Sequence, residues 1–368
     1  MLLLGIETSC DETAASIVED GVVVHSSIVA SQNELHEEFA GVVPELASRA
    51  HVERITAIIQ CALSQASCTY AHVDAIAVGH RPGLIGSLLV GVSAAKALAW
   101  SLARPLIAVD HVHAHLYAGL LRTREEAALA PIAFPALGFV VSGGHTSLYL
   151  LRDWTTLVRL GATIDDAMGE AYDKAAAILG IPFPGGPNLD RLARSENASD
   201  RAVELPVSRL DRDSLDFSFS GLKTAVLYAA RGVPAPANPR SDRSPPPPPP
   251  PLDEHRIADI AASFQRAASR AAILKIERAL DLAAEGRLKG LNRRTRIATL
   301  LVGGGVSANS RLRAELTQLA SRRELDLRLP AMPYCVDNAA MIAGLGHHLL
   351  AAGITADLAL QAIPTTAC

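Results

Sequence analysis

A pattern of apolar strand, tight polar turn and returning strand occurs twice in this sequence, around residue 8 and again around residue 143. In the first copy, Leu2 to Glu7 is predicted as a buried strand, with antiparallel neighbours at Ala14 to Glu19 and Val22 to Ser27. In the second copy, the apolar run Ala136 to Ser142 ends in two glycines, and the alternating segment Thr146 to Leu151 returns beside it. Helical segments follow both copies. We therefore predict an α/β protein in which one unit of sheet and helices has been duplicated as a fold.

Periodicity elsewhere in the chain predicts further elements of both units. Helices are predicted at Pro44–Ala66, Gly86–Leu102, Asp165–Gly180, Arg256–Glu285, Asn309–Arg322 and Val336–Ala352, and strands at Val73–Val78, Pro105–Val109, Ala298–Val302 and Leu325–Leu329. A chain of 368 residues, 49% hydrophobic and only 4% aromatic, suits two aliphatic cores. We divide it into lobes at residues 1–128 and 129–368, with the last helix packing back on the first lobe. A cleft between two such lobes is the natural place for a ligand.

A proline-rich segment at about 232–253 interrupts the second unit and contains seven consecutive prolines from Pro245. Serial prolines adopt an extended helix that cannot join a packed core, so we predict a surface insertion. It is either a spacer or a docking site for a proline-binding partner.

Charge and cysteine content indicate how the protein could bind RNA and which compartment it occupies. The net charge of -4 gives no basic footprint, so an RNA substrate would bind through a local patch or a partner protein. One candidate patch consists of Arg287, Lys289, Arg293, Arg294 and Arg296, for which an ordinary solvated loop is the alternative. Five cysteines without a CxxC pair indicate a reducing compartment. We find no signal peptide and no uninterrupted membrane span, and expect a cytoplasmic protein without membrane contact.

The sequence His111-Val112-His113-Ala114-His115 follows a predicted strand. Residues four apart share a helical face, so His111 and His115 could bind one metal ion; a helix start that happens to carry histidines is the alternative. The second residue is Val112 rather than the glutamate of an HExxH zinc protease. A carboxylate would complete a two-histidine site, and Asp337 is a candidate, although an aspartate there could equally be a helix cap.

Three glycine-rich turns and several acidic residues stand beside predicted strands and helices. The turns are Val141–Thr146, Phe183–Pro187 and Gly303–Asn309, and the acidic residues include Glu7, Asp11, Glu12 and Asp173. Small residues let backbone N–H groups approach an anion, so the three turns together favour a nucleotide, although each alone could be a hairpin or a cap. None matches the Rossmann or P-loop pattern. Asp11 and Glu12 are either solvated turn residues or candidates for accepting a proton.

Taken together, these blocks resemble the TsaD family. The matching motifs are Gly5–Thr13, Gly41–Arg49, the pair His111 and His115, Val141–Thr146, Asp165–Ala167, Gly169–Lys174, Pro184–Pro187, Asp216–Thr224, Gly304–Asn309 and Asp337-Asn338, in family order along the chain. The turn Val78–Leu84 departs from the family pattern, because His80 and Arg81 replace small residues.

The resemblance implies the two-lobed fold of actin, Hsp70 and sugar kinases, the ASKHA or RNase H-like fold with a central cleft. It implies transfer of threonylcarbamoyl from threonylcarbamoyl-AMP to N6 of adenosine 37 in tRNAs that read codons beginning with A, with release of AMP. It also implies one Fe²⁺ or Zn²⁺ ion, a TsaB-like paralogue and a TsaE-like ATPase as partners. The implied metal ligands are His111, His115 and Asp337, and the implied substrate contacts are Val141, Ser142, Gly143, Gly144, His145, Asp173, Gly186, Asp190 and Asn309. The alternatives are a small-molecule kinase of the same superfamily and a non-catalytic assembly subunit.

Overall fold

The structure is a computed structural model that describes residues 1–36, 39, 41–211, 213–232 and 252–365. The proline-rich segment predicted at about 232–253 falls almost wholly outside these residues, so its role stays a prediction.

The first half of the chain forms a five-stranded sheet in the order β3-β2-β1-β4-β5. Its strands are β1 (Leu2–Glu7), β2 (Glu12–Glu19), β3 (Val23–Ser31), β4 (Ala75–Arg81) and β5 (Leu106–Asp110). Strands β1, β2 and β3 pair antiparallel, whereas β4 and β5 run parallel to β1. The helices of this half are α1 (Asn33–His36), α2 (Pro44–Gln65), α3 (Ile85–Leu102) and α4 (His111–Tyr117).

The second half builds another five-stranded sheet in the order β10-β9-β6-β7-β8. Its strands are β6 (Ala136–Val141), β7 (Thr146–Leu151), β8 (Leu157–Ala162), β9 (Thr299–Gly303) and β10 (Asp326–Arg328). Its helices are α5 (Met168–Ile178), α6 (Gly185–Ala193), α7 (Ser220–Arg231), α8 (Glu254–Glu285), α9 (Ser310–Arg323) and α10 (Ala339–Ala351). The first three strands are again antiparallel and the last two parallel, so the predicted duplication is confirmed in the sheet topology.

Two helices join the halves. Helix α10 comes from the end of the chain but packs on β1, β2, β4 and β5 of the first sheet. Helix α4 follows the first sheet and contacts β6 and β9 of the second, as well as α10. The starts of the two helices lie close together, since His111 at the start of α4 is 3.4 Å from Asp337, which precedes α10. The division at residues 128 and 129 stays a prediction.

The predicted helix Asp165–Gly180 is wrong in its first turn, because α5 begins at Met168. Asp165 instead accepts hydrogen bonds from Ser218, Phe219 and Ser220, and so anchors the start of α7. Strand β8 and helices α6 and α7 were not predicted. The turn predicted at Phe183–Pro187 is shorter than expected, because α6 already begins at Gly185.

Within the described residues, α3 is the one helix that is long and apolar enough by composition to cross a membrane. It packs on β4 and α2, with Leu88, Val92 and Ala95 buried in the first core. These contacts are those of a core helix.

Candidate metal centre and adjoining cleft

Helix α4 presents two histidines because its start is fixed by Asp110. One carboxylate oxygen of Asp110 accepts from the backbone N–H groups of Val112 at 3.0 Å and His113 at 3.2 Å, which caps the helix. The other oxygen accepts from Nε of Arg81 at 3.0 Å. Positions four apart then bring His111 and His115 to one face, and both are buried.

Asp337 joins these histidines from the far end of the chain. Its Oδ1 lies 3.4 Å from Nε2 of His111 and 3.1 Å from Nε2 of His115. Two ligands that are each about 2.1 Å from one ion stand about 3.0–3.4 Å apart at the usual angles, so these separations suit a shared metal ion. Asp337 is not the cap of α10, because Asn338 accepts from the backbone N–H of Met341 at 2.9 Å and takes that role. The alternative reading of Asp337 as a helix cap is therefore wrong.

The buried polar atoms of this cluster fit a cation. Nε2 of His115 is fully buried and makes no hydrogen bond, although a carboxylate oxygen is within reach. Burial lowers the pKa of His115 and so favours the neutral imidazole that binds metals. Burial acts to raise the pKa of Asp337, but His111 and His115 outweigh it and hold that pKa well below its usual range. A carboxylate and an orphaned imidazole nitrogen facing one point are the donor set of a two-histidine, one-carboxylate site.

Glu7, at the end of β1, is a residue that the sequence-based site did not include. Its side chain is fully buried, and Oε2 lies 3.0 Å from Nδ1 of His111. The other oxygen accepts from the backbone N–H of Ser9 at 2.5 Å, so the carboxylate is held from both sides. Donation from Nδ1 to Glu7 leaves Nε2 of His111 to face Asp337 with its lone pair. The available signal in the sequence was an acidic residue at the end of an otherwise apolar strand.

A cavity of about 320 Å³ opens directly onto the metal ligands. It is lined by His111 and Asp337 and by the two turns that follow β1 and β6: Ser9–Glu12 and Ser142–His145. Burial, with Asp337 and Asp11 next in effect, raises the pKa of Glu12 well above its usual range. Burial also lowers the pKa of His145 to about 4, which leaves the ring uncharged.

A second cavity of about 470 Å³ continues from the first, and both share Gly143, Gly305 and Val336. Besides Gly143, four of the residues predicted to contact substrate line it: Asp173, Gly186, Asp190 and Asn309. The two volumes lie in the range of small-molecule sites. Val141 lines neither cavity; it is buried at the end of β6. The structure thus brings every predicted site residue except Val141 and the fully buried His115 to the lining of these two adjoining cavities.

Glycines in the cleft act in two different ways. A Cβ on Gly143, Gly144 or Gly305 would meet nothing within 4 Å, so these backbones are open to a ligand. A Cβ on Gly303 would instead lie 1.9 Å from the carbonyl oxygen of His115, and one on Gly304 would lie 2.4 Å from that of Val141. Gly304 also has φ of +99°, which side chains rarely adopt. Gly303 therefore lets the end of β9 approach α4 closely, and Gly304 lets it approach the end of β6.

Comparison with known proteins matches nearly the whole chain. A family model described as "TsaD: tRNA N6-adenosine threonylcarbamoyltransferase" matches residues 23–344. A tRNA N6-adenosine threonylcarbamoyltransferase of Trichlorobacter lovleyi is 46% identical over 99% of this chain and 96% of its own length. The protein of that name from Moorella thermoacetica is 44% identical over 98% of this chain and 96% of its own.

The chain belongs to the TsaD family. Among solved structures, it resembles HypF of T. kodakarensis with a TM-score of 0.55 and 15% identity, over 95% of this chain and 48% of that one. Component A of the (R)-2-hydroxyglutaryl-CoA dehydratase of Acidaminococcus fermentans matches with a TM-score of 0.50 and 13% identity, over 95% of this chain and 99% of its own. At these identities the likeness concerns the fold alone. It agrees with the predicted two-lobed ASKHA architecture.

The turn that departs from the TsaD pattern is tied to other parts of the molecule. Arg81 forms its ion pair with Asp110, and Nδ1 of His80 lies 3.2 Å from the carbonyl oxygen of Gln361. The backbone N–H of Ile363 donates to the carbonyl oxygen of His80 at 2.9 Å. In this chain the unusual residues therefore connect the N-terminal cap of α4 with the C-terminal segment.

The basic loop predicted as an RNA patch carries counter-charges. Arg287 forms ion pairs with Asp213 and Glu285, and Arg296 pairs with Glu324. The loop therefore presents less net positive charge than its sequence suggests, which favours the solvated-loop alternative.

Proposed function

We propose that this chain transfers the threonylcarbamoyl group of threonylcarbamoyl-AMP to N6 of adenosine 37 in tRNAs that read codons beginning with A. The observation that carries the proposal is the convergence of His111, His115 and Asp337 beside a cleft built from the family's glycine turns. Near-full-length identity to transferases of that name supports it. We further propose a cytoplasmic location, with tRNA, a TsaB-like paralogue and a TsaE-like ATPase as partners.

We assign one Fe²⁺ or Zn²⁺ ion to His111, His115 and Asp337. An ion held by these three side chains would supply Lewis acidity toward the carbonyl of the threonylcarbamoyl end. Glu7 keeps the ring of His111 in the orientation that this site needs. The open backbones of Gly143 and Gly144 face the phosphate, and Asp173, Gly186, Asp190 and Asn309 hold the adenosine of the donor in the larger cavity.

Transfer then requires N6 of the tRNA adenosine to reach the carbonyl carbon. A new C–N bond forms, the bond between that carbon and the phosphate oxygen breaks, and AMP leaves with the electron pair. The amine is a weak nucleophile, so placing both partners in one cleft supplies much of the rate. The target base must leave its loop to enter the smaller cavity. Asp11 or Glu12 accepts the proton in our proposal, because both line the smaller cavity.

The decisive experiment is reconstitution with threonylcarbamoyl-AMP and unmodified tRNA, with and without the partner proteins. The modified nucleoside is measured by mass spectrometry, and bound metal is measured separately. His111→Ala should lose both the metal and the modification. Full modification without bound metal would overturn the assigned role of the three ligands.

The same preparation tests the kinase alternative. Incubation with ATP and small polyols should yield no phosphorylated product, since the buried histidine pair has no task in phosphoryl transfer to an alcohol. An ATP-dependent phosphorylated product, without tRNA modification, would favour the kinase. A chain that stays inactive in both assays would favour the assembly subunit.

A further inference from the structure

A buried polar network lies behind the larger cavity. Asp190 of α6 and Asn309, which precedes α9, line that cavity, whereas Gln265 of α8 stands behind them with 4% of its surface exposed. Nε2 of Gln265 donates to Oδ1 of Asp190 at 2.9 Å. Nδ2 of Asn309 donates to Oε1 of Gln265 at 3.1 Å. One side chain thus joins two cavity residues that come from different helices.

Three donors converge on a single oxygen of Asp190. Besides Gln265, Oγ of Ser310 donates to Oδ1 at 2.6 Å and Nδ2 of Asn309 at 3.3 Å. The second oxygen, Oδ2, lies 3.5 Å from Nε of Arg194, whose side chain also lines the cavity. The carboxylate therefore cannot turn without losing buried hydrogen bonds, and Oδ2 is the oxygen on the side of Arg194.

The hydrogen bonds also fix which way the two amides point. Oδ1 of Asn309 accepts from the backbone N–H of Leu312 at 3.0 Å and so caps α9. Its Nδ2 must then face Asp190 and Gln265, which both offer an oxygen. The nitrogen of Gln265 is consequently the end that faces Asp190. Reversing either amide would place oxygen against oxygen or N–H against N–H, so only one arrangement of the network satisfies all of these hydrogen bonds.

We propose that Gln265 is a positioning residue for the nucleotide end of the substrate. It contacts no ligand, but it holds the side chains of Asp190 and Asn309 in the conformations that bind the adenosine moiety. This inference rests on the proposed function, which places that moiety against these two residues.

The test replaces Gln265 with Met, which keeps the length of the side chain and removes both hydrogen bonds. AMP affinity is measured by calorimetry, the KM and kcat of transfer are measured in the reconstituted assay, and thermal unfolding reports stability. We expect the Kd for AMP to rise about tenfold, as for a lost buried hydrogen bond. The KM for the adenylate should rise with it, and kcat should change much less.

Ser263→Ala is the matched control. Ser263 is buried on the same helix, and its Oγ bonds the backbone N–H of Val203 and the carbonyl oxygen of Ser199, away from the cavity. Its loss should lower stability but leave AMP binding unchanged. Ser310→Ala removes another donor to the same oxygen of Asp190 and should weaken AMP binding in the same direction as Gln265→Met.

An unchanged Kd for AMP in Gln265→Met would overturn the inference, as would an equal loss of affinity in Ser263→Ala. If the Met variant does not fold, Gln265→Asn replaces it, since it keeps the amide but is one methylene too short, and an unchanged Kd there would have the same meaning. Wild-type protein that binds no AMP would overturn the assignment of the pocket itself, and this inference with it.

Discussion

Replacement of Glu7 by Gln should weaken metal binding without unfolding the protein. In the wild type one oxygen of Glu7 lies 3.0 Å from Nδ1 of His111, and the other accepts from the backbone N–H of Ser9. Gln offers one oxygen and one NH₂ group in the same volume, so one of these two buried donors loses its acceptor on residue 7. The carboxylate charge beside the imidazole is lost as well.

The size of the effect follows from the bond that is lost. A hydrogen bond to a charged group contributes about 1.5–3 kcal/mol, and about 1.4 kcal/mol corresponds to a factor of ten. Zn²⁺ affinity should therefore fall about 10- to 100-fold, as is usual when the partner of a metal-bound histidine is changed.

The assay is a competition titration of chelator-treated protein with Zn²⁺ and a chromophoric chelator at fixed pH. Asp259→Asn is the control, because Asp259 is also a buried carboxylate and accepts from the backbone N–H of Ser199 at 2.7 Å, far from the metal ligands. It should leave Zn²⁺ affinity unchanged. A folded Glu7→Gln protein that binds Zn²⁺ as tightly as the wild type would refute the role given to Glu7.

Three further outcomes are expected. Gly303→Ala should lower the free energy of unfolding by about 1–3 kcal/mol in urea titrations, because its Cβ would meet the carbonyl oxygen of His115; an unchanged midpoint would contradict this. Arg81→Ala should lower the free energy of unfolding by about 1 kcal/mol in the same assay, because it removes a partly buried ion pair with Asp110. Arg104→Ala is the control and should lower it less, because Arg104 forms no ion pair within the described residues. Burial lowers the pKa of His348 to about 4, so the unfolded chain takes up this proton first and stability should fall as pH drops from about 6.5 to 4. His348→Gln should have a flatter stability profile over that range, and an equally steep one would contradict the assignment.

The strands could be predicted from the sequence because most are short apolar runs bounded by turn residues. Strand β8 was missed, since Leu157–Ala162 lies at the edge of its sheet and is only partly buried, which weakens its pattern. Helix α6 was missed because its first residues, Gly185-Gly186-Pro187-Asn188, have the composition of a turn. Helix α7 buries Leu222, Val226 and Ala230, whose spacing of four residues is the local signal for this helix.

The local sequence pattern predicts only part of the candidate metal site. The spacing of His111 and His115 indicated a shared face, but Asp337 had the same local sequence as a cap, and it is Asn338 that caps α10. The prediction that a helix begins at Asp165 is wrong for a related reason. The groups that donate to its carboxylate lie more than fifty residues further along the chain, so no local pattern shows them. The network around Gln265 likewise joins α6, α8 and α9, and no periodicity within one helix reveals such a contact.

The packing of α10 on the first sheet has a consequence for how the protein is made. Both histidines leave the ribosome early in translation, whereas Asp337 emerges only when the chain is nearly complete. A nascent chain that has already folded its first sheet still lacks the third ligand. If the ion binds as proposed, a product that ends before Asp337 would carry the histidine pair without the third ligand, so metal loading would require nearly complete synthesis.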